Sequence, residues 1–341
     1  MDDAELTRRL ERFLAARLGT GARITRLGRS TEGFSQETFT LDVDVRGASR
    51  GYVVKREPVA GLLEPYDLEP EFRVLHALSD DPLPSPPTPW FERDPAVLER
   101  SFYVMERLGG DVPIPAPGPD GAGPFTDAER ATLGPEVVSA LARLHAFDWR
   151  TRGLDFLGDP GAGTAPAARE IATWEARIAR SGFPRPPMLA AGLSWLRRHV
   201  PVTDDVTLVH GDYRLGNFLV TRAGEAAHLS GVLDWEMVHL GDPLEDVGWC
   251  TSALWRAGTP LASCLMEPEE FAAAYAAASG RRVDAERVRF WEVLAIVKMA
   301  AIMLTGLRAF ADGRTPDLRM AIFDHQLPFL ELLLAMTIGS A

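Results

Sequence analysis

The chain has 341 residues, with 36 Lys+Arg against 48 Asp+Glu, a formal net charge of −12, 46% hydrophobic residues and 25% charged residues. These ordinary values exclude a disordered or fibrous chain, and the acidic balance argues against nucleic-acid binding, which needs a basic surface. The length predicts two domains or one large two-lobed unit. Two cysteines are too few for a disulfide framework, which favours a reducing, cytoplasmic location.

Two stretches of the sequence bear on membrane insertion, and neither has the expected pattern. Residues 1–5 are acidic and lack the basic and apolar regions of a signal peptide. The longest apolar run, 293–307, is interrupted by Lys298 and is too short to cross a bilayer. We therefore expect no membrane partner.

The first hundred residues predict a small lobe rich in β-structure. Leucines at helical spacing predict a helix over 5–18, and alternation between Phe39 and Val45 predicts a half-buried strand. The other elements are predicted at 24–27 (strand), 51–55 (strand), 69–78 (helix), 90–92 (strand) and 101–105 (strand), with the second strand covering 38–45. The proline-rich stretch 81–89 is expected on the surface. Residues 1–107 thus form one predicted lobe.

A Gly- and Pro-rich segment, 109–124, separates this lobe from a mainly helical remainder. Helices are predicted at 127–147, 167–180, 187–199, 246–256, 268–279, 285–311 and 316–336, and short strands at 207–209, 217–220 and 228–233. The fold class predicted is α+β, with residues 108–341 as a large C-terminal lobe that carries the catalytic and substrate-binding residues.

The stretch 208–220 (LVHGDYRLGNFLV) holds the most informative polar residues. Asp212 follows an apolar strand, Asn217 comes five positions later, and Asp234 ends a further apolar run. An Asp-x-x-x-x-Asn followed by a strand-end Asp is the set that phosphoryl transfer from Mg²⁺–ATP requires. One Asp accepts the proton of the acceptor hydroxyl, while the Asn and the second Asp hold the metal.

Three sequence blocks, HGDYRLGN, LDWE and GDPLEDVGW, resemble the aminoglycoside phosphotransferase family, which has the protein-kinase-like two-lobed fold. They are most similar to the branch that includes the phosphotransferase domains fused to acyl-CoA dehydrogenases. The resemblance spans nearly the whole chain. It implies that Asp212 is the catalytic base and that Asn217 and Asp234 bind Mg²⁺.

Other residues in these blocks have open roles. Arg214 either stabilises charge on the transferred phosphoryl group or faces outward as a surface arginine. His210 is expected to order its loop, and Asp246 to bind backbone amides near the catalytic loop. Asp242 either approaches the metal or braces the loop, and the second reading is favoured.

Residues for the nucleotide are predicted in the first lobe. The turn 33–39 resembles the family's phosphate loop, so the backbone at Gly33 and the Ser35 hydroxyl could cradle phosphate oxygens. The resemblance implies that Lys55 contacts the α- and β-phosphates and that Glu71 pairs with it. Arg56 is a competitor for Lys55, because only one of two adjacent strand residues can face the cleft.

The segment 102–108 matches a hinge in position, so we expect adenine to bond to backbone groups near Glu106 and Leu108. The predicted activity is transfer of the γ-phosphate of ATP to a hydroxyl of a small molecule. The sequence shows no clear cluster of acidic residues of the kind that would bind a polycationic aminoglycoside. A hydroxy acid or hydroxyacyl-CoA is the alternative acceptor.

Two alternative functions remain at this point; the intact set of Lys55, Asp212, Asn217 and Asp234 disfavours the first, and no additional His-rich motif supports the second. The chain could be a nucleotide-binding pseudokinase without turnover, or a metal-dependent hydrolase using His210, Asp212 and Asp234. A monomer or a homodimer is expected.

Overall fold

The computed structural model describes residues 2–29, 36–116 and 123–339. The chain folds into two compact units, one made of Met1–Asp81 and Ser85–Leu108 and the other of Pro82–Pro84 and Gly109–Ala341. The first unit contains a five-stranded sheet, whereas the second is mainly helical. The α+β class predicted from the sequence is confirmed.

The sheet of the first unit is antiparallel, in the order β1-β2-β3-β5-β4. Its strands are β1 (Ala22–Arg29), β2 (Glu37–Val45), β3 (Ala48–Arg56), β4 (Trp90–Glu92) and β5 (Phe102–Glu106). Phe39, Leu41 and Val43 on β2 are buried at every second position, since successive strand residues point to opposite faces. The same alternation directs Lys55 and Arg56 at the end of β3 to opposite faces.

Within the described residues of the first unit, three helices accompany this sheet: α1 (Asp3–Leu18), α2 (Glu69–Leu78) and α3 (Pro95–Leu98). The Asp2 side chain caps α1 by accepting from the amide of Glu5, and the apolar stripe of α1 buries Leu6, Leu10 and Leu14. Helix α2 has a proline in its first turn and buries Glu71 together with three aliphatic side chains. Burial of that carboxylate requires a partner on the sheet.

The proline-rich stretch 81–89 was expected on the surface, and this is wrong. Leu83, Ser85 and Thr88 are buried. Prolines lack an amide donor but keep an apolar ring, so such a segment can be buried when its carbonyls find donors. The amide of Glu106 donates to the carbonyl of Pro87, and the ring of His76 contacts the carbonyl of Thr88.

The second unit consists of helices around two small strand pairs. Its helices are α4 (Asp127–Ala146), α5 (Ala165–Ser181), α6 (Pro187–Arg198), α7 (Leu244–Thr251), α8 (Pro268–Ser279), α9 (Ala285–Ala311), α10 (Leu318–Ala321) and α11 (Phe323–Gly339). Helix α4 begins at a capping box between Thr126 and Glu129. The helix predicted at 246–256 is α7 followed by a separate 3₁₀ turn, Ala253–Trp255, because Ser252 has an extended ψ of 141°.

Two antiparallel strand pairs carry the predicted chemistry. β6 (Thr207–Val209) pairs with β9 (His239–Gly241), and β7 (Phe218–Ala223) pairs with β8 (Ala226–Val232). The pattern of the sequence did not indicate β9. Each pair ends next to a segment that holds a predicted site residue.

Helix α9 is long and apolar enough to cross a membrane by length and composition, and it is the one such helix within the described part of the chain. Of its most apolar 18-residue window, 67% is buried inside the protein. It packs against α5, α6, α7, α10 and α11. This burial assigns α9 to the core of the second unit.

Candidate active site

The open end of the β7–β8 hairpin carries two of the predicted residues. The amide of Leu233 donates to the carbonyl oxygen of Asn217 over 2.8 Å, which brings Asn217 beside the residue that follows Leu233, Asp234. Asp234 has a φ of 68°, in the left-handed region that non-glycine residues seldom adopt. The hairpin thus presents an amide and a carboxylate at one end.

The Asp212 carboxylate accepts three hydrogen bonds from side chains. Asn217 donates to Oδ2 over 2.7 Å, and its Nδ2 also donates to the backbone oxygen of Asp212. Oδ1 accepts from the indole N–H of Trp249 at 2.7 Å and from Nε of Arg214 at 2.9 Å. Asp212 is only 7% exposed. Through Asn217, this carboxylate is tied to the end of the hairpin and therefore to Asp234.

Arg214 lies against the Asp212 carboxylate, and its side chain is 22% exposed. Its guanidinium stacks over the ring of Trp255, with 4.2 Å between the guanidinium carbon and the ring centroid, and it also donates to the carbonyl of Leu215. The structure therefore gives the carboxylate a fixed cationic neighbour.

His210 is held between two backbone groups. Its Nδ1 accepts from the amide of Asp212 over 3.1 Å, and its Nε2 lies 3.1 Å from the carbonyl of Leu233. Because an amide only donates and a carbonyl only accepts, the proton resides on Nε2 and the ring is neutral. Burial lowers the pKa of His210 despite the nearby aspartates. His210 orders the loop, as predicted.

Asp246 fixes the same loop through hydrogen bonds to its backbone. Its two carboxylate oxygens accept from the amides of His210 and Gly211, both over 2.8 Å, which confirms the prediction that it binds backbone amides there. Burial alone would raise the pKa of Asp246, but the hydrogen bonds from the His145 ring and from the backbone of His210 help to offset this, and the pKa is lowered. Asp246 is thus held as a carboxylate.

Asp242 braces its own segment. It accepts from the amide of Leu244 and pairs with Arg287 on α9 at 2.9 Å. It also accepts from the hydroxyl of Thr203. These contacts agree with the structural role favoured from the sequence.

In the first unit, Lys55 lies 3.4 Å from the Glu71 carboxylate, so the predicted ion pair is present. Gln36 donates to the other oxygen of Glu71 over 2.8 Å. Arg56 points to the other face, where it binds Glu37 and the carbonyl of Leu98. The two basic residues therefore have separate partners.

The remaining predicted nucleotide contacts are less defined. Gly33 and Ser35 lie outside the described residues. Glu106 ends β5, and its amide is engaged with the carbonyl of Pro87 over 2.8 Å, so a base could use that amide only by displacing this bond. Leu108 follows the strand at the end of the first unit.

Sequence reasoning missed two residues of the second unit. Trp249 reaches Asp212 from α7, and Lys298 on α9 donates to the carbonyl of Gly211 over 2.6 Å. Trp249 sits in the block GDPLEDVGW, and Lys298 is a lone charge inside an apolar run. Those two facts were the available signals, but the contacts themselves depend on helix packing.

An antiparallel five-stranded unit joined to a helical unit with an Asp–Asn–Asp set is typical of the protein-kinase-like fold. The chain belongs to the Phosphotransferase enzyme family, whose model matches residues 29–291. It is 30% identical to acyl-CoA dehydrogenase family member 10 from Mus musculus over 248 residues, 72% of this chain and 22% of that protein. The chain thus spans about a fifth of the length of this relative.

Many solved structures share the fold, and two of them serve as examples. One is a protein from Ralstonia eutropha, provisionally assigned as an aminoglycoside phosphotransferase, with a TM-score of 0.72, 24% identity and 98% of each chain covered. The other is a thermostable mutant of an aminoglycoside phosphotransferase in a ternary complex with ADP and hygromycin B, with a TM-score of 0.60 and 17% identity. That match covers 97% of this chain and 98% of the other. The kinase-like fold inferred from the sequence is confirmed.

Proposed function

We propose that this chain is an ATP- and Mg²⁺-dependent kinase that transfers the γ-phosphoryl group to a hydroxyl of a small molecule. The observation that carries the proposal is the direct bond from Asn217 to the Asp212 carboxylate at the hairpin end that also holds Asp234. Membership of a phosphotransferase family supports the reaction class. The ADP or GDP held by structural neighbours supports a purine nucleotide as the donor, and ATP is the one we propose.

The donor set of the hairpin end suits Mg²⁺. The side-chain oxygen Oδ1 of Asn217 and the carboxylate of Asp234 are hard oxygen ligands. The side-chain nitrogen Nδ2 of Asn217 is already turned toward Asp212. In the proposed enzyme these two residues hold the metal, which neutralises charge on the phosphoryl oxygens when it is bound.

Asp212 is the proposed base, and its two oxygens differ. Oδ1 accepts two donors, Trp249 and Arg214, whereas Oδ2 accepts from Asn217. Because each carboxylate oxygen has two acceptor positions, Oδ2 is the better candidate to receive the proton of the acceptor hydroxyl. The deprotonated acceptor oxygen would then bond to the γ-phosphorus while the bond from that phosphorus to the β,γ-bridging oxygen breaks and ADP leaves.

The first unit supplies the proposed nucleotide contacts. Lys55 is oriented by Glu71 and binds the α- and β-phosphates, and the backbone near Glu106 and Leu108 receives the adenine. Gly33 and Ser35 are proposed to contact the phosphates as well.

The acceptor we propose is a hydroxy acid or a hydroxyacyl-CoA, and not an aminoglycoside. A guanidinium, Arg214, is fixed beside the base, where it offers a positive charge to an anionic acceptor. A relative named as an acyl-CoA dehydrogenase family member agrees with an acyl-CoA ester. Arg214 would then stabilise negative charge on the phosphoryl group or the acceptor.

The test is ADP release from Mg²⁺–ATP with hydroxyacyl-CoA esters, hydroxy acids and aminoglycosides as acceptors. We expect turnover with one of the first two groups, and we expect Asp212→Asn to abolish turnover while still binding ATP. ATP binding by the wild type without turnover on any acceptor would favour the pseudokinase. Activity that needs a transition metal but no ATP would favour the hydrolase.

We further propose a cytoplasmic monomer or homodimer. The two cysteines, Cys250 and Cys264, are free and buried, in keeping with a reducing compartment. Light scattering on the purified chain would give the oligomeric state.

A further inference from the structure

Lysine is rare in this chain. Only two of its 36 basic residues are lysines, Lys55 and Lys298, and the structure buries both. Lys55 belongs to the proposed nucleotide site, whereas Lys298 lies in the middle of the apolar helix α9 and is 1% exposed. Removing an ammonium group from water is costly unless anions and carbonyls surround it. The partners of Lys298 therefore indicate what this charge is for.

The ammonium of Lys298 has one partner in the catalytic loop and one on helix α7. It donates to the carbonyl of Gly211 over 2.6 Å and lies 3.2 Å from the Glu245 carboxylate. It also lies 4.6 Å from the ring centroid of Trp249 and 5.3 Å from that of Trp174, within reach of cation–π attraction. A compact ammonium fits this enclosure, while a planar guanidinium would need more room.

Buried carboxylates balance the charge behind Lys298. Nε2 of His239 lies 3.1 Å from Glu245 and 3.7 Å from Glu170, and Nδ1 of His239 contacts the carbonyl of Met237. Two cations and two anions thus alternate in one row of neighbouring side chains: Lys298, Glu245, His239, Glu170. These carboxylates and the imidazole lie close enough to hold a metal ion, but Lys298 and a protonated His239 already supply the positive charge.

The bond to Gly211 acts on the peptide unit just before Asp212. Lys298 holds the carbonyl of that unit, and Nδ1 of His210 holds its N–H. The position of the Asp212 backbone is therefore fixed at both ends of one peptide plane. The ring face of Trp249 lies on the same ammonium, while its indole N–H donates to Oδ1 of Asp212.

We propose that Lys298 and Trp249 are positioning residues for Asp212: Lys298 fixes the backbone of Asp212 through Gly211, and Trp249, packed on Lys298, orients its carboxylate. This inference rests on the proposed function in so far as Asp212 is the base. The contacts themselves can be tested without turnover.

The first experiment uses the indole ¹⁵N–¹H signals of the full chain in solution. The signal of Trp249 is assigned as the one lost in Trp249→Phe. We expect Lys298→Met and Asp212→Asn to shift this signal, because the first removes the cation from the ring of Trp249 and the second removes the charge of the acceptor of its N–H. The matched control is Arg287→Met, which removes another cation of α9 whose partner is Asp242 and should leave the signal unchanged.

The second experiment measures kcat, KM and nucleotide affinity with the acceptor of highest turnover in the panel described above. Trp249→Phe keeps an aromatic ring, although a smaller one, and removes the hydrogen bond from the indole N–H, so we expect kcat to fall about 10–100-fold with nucleotide affinity within twofold. Lys298→Met should behave likewise, and Arg287→Met should keep kcat within twofold. If Lys298→Met does not fold, Trp249→Phe decides.

An unshifted Trp249 signal in a folded Lys298→Met, or wild-type kcat in Trp249→Phe, would overturn the inference. Failure of the proposed function has a different signature. The wild type would then release no ADP with any acceptor, while the Trp249 signal would still respond to Lys298→Met and Asp212→Asn.

Discussion

The imidazole of His210 donates from Nε2 to the carbonyl oxygen of Leu233, which directly precedes Asp234. Its other nitrogen accepts from the amide of Asp212. One neutral ring therefore links the backbone of the proposed base to that of a proposed metal ligand. Both nitrogens are committed, so a hydrolase that used His210 as a metal ligand would have to break one of these bonds. This geometry favours the kinase over the hydrolase.

Gly211→Ala is expected to destabilise the chain by about 3 kcal/mol or more. Gly211 has a φ of 82°, and an added Cβ would lie 2.5 Å from the carbonyl oxygen of Met237. The matched control is Gly224→Ala, where φ is 62° but nothing lies within 4 Å, so only backbone strain of about 1 kcal/mol is expected. Urea unfolding measures both. Equal losses would show that the close approach at Gly211 is relieved without cost.

Lys55→Met is expected to weaken ATP binding about tenfold, because it removes the cation that Glu71 orients. Arg56→Met is the matched control on the opposite face. It should lower stability, since it leaves Glu37 and the carbonyl of Leu98 without this donor, but keep ATP affinity within twofold. Calorimetric titration with ATP gives both affinities. The reverse result would assign the phosphate contact to Arg56.

Asp234→Asn is expected to raise the Mg²⁺ concentration for half-maximal ADP release about tenfold or more, because a carboxylate ligand becomes a neutral amide. Asp204→Asn makes the same change in charge at a side chain that is 82% exposed and should not alter the Mg²⁺ dependence. A magnesium titration at saturating ATP distinguishes them. An unchanged half-saturation in Asp234→Asn would remove Asp234 from the metal site.

The stability of the chain should depend on pH through His239. Burial alone would lower its pKa, but Glu170 and Glu245 together outweigh burial and raise it to about 9. Because the folded chain holds the proton of His239 more tightly than the unfolded chain does, this proton stabilises the fold. The stabilisation is complete below pH 6.5, the pKa of His239 in the unfolded chain, and is lost as the pH rises through about 9, its pKa in the folded chain. The total is on the order of 3 kcal/mol.

We therefore expect the wild type to lose stability between pH 6.5 and 9 and His239→Gln to lose less over that interval. Glu170, Glu245 and Lys298 are the charged groups that face the ring. His325→Gln, at an exposed histidine, is the control. Urea unfolding of the wild type and the two variants at pH 6, 7.5 and 9.5 gives the free energy of unfolding of each protein against pH. Parallel curves for the wild type and His239→Gln would contradict the raised pKa.

Local patterns in the sequence were enough for much of the fold. The helices Glu69–Leu78, Pro268–Ser279 and Ala285–Ala311 and the strand Trp90–Glu92 match their predicted bounds. Each has a clear period or clear flanking signals. By contrast, β9 has only three residues and is defined by its pairing with β6, about thirty residues earlier, so no local pattern reveals it.

The residues of the candidate site also fall into two groups: those that a local sequence pattern predicts and those that only tertiary packing brings together. Asp212, Asn217 and Asp234 were predicted because they lie next to the ends of recognisable strands, and the hairpin does bring their segments together. Trp249 and Lys298 lie on helices, and only the packing of α7 and α9 brings them to the loop. In the sequence, Lys298 merely interrupts an apolar run. Helical periodicity shows which face is buried but not which carbonyl a buried charge will meet.

The separation in sequence of the contacts around Asp212 has a consequence for folding. Asn217 and Leu233 are joined by one hairpin, and such local contacts close quickly, whereas the bond from Lys298 to Gly211 spans 87 residues and carries a larger loop-closure cost. We expect the hairpin end to form early and the Asp212 loop to become fixed only when α9 has docked. A chain still emerging from the ribosome would therefore hold its proposed metal ligands before it could catalyse the reaction.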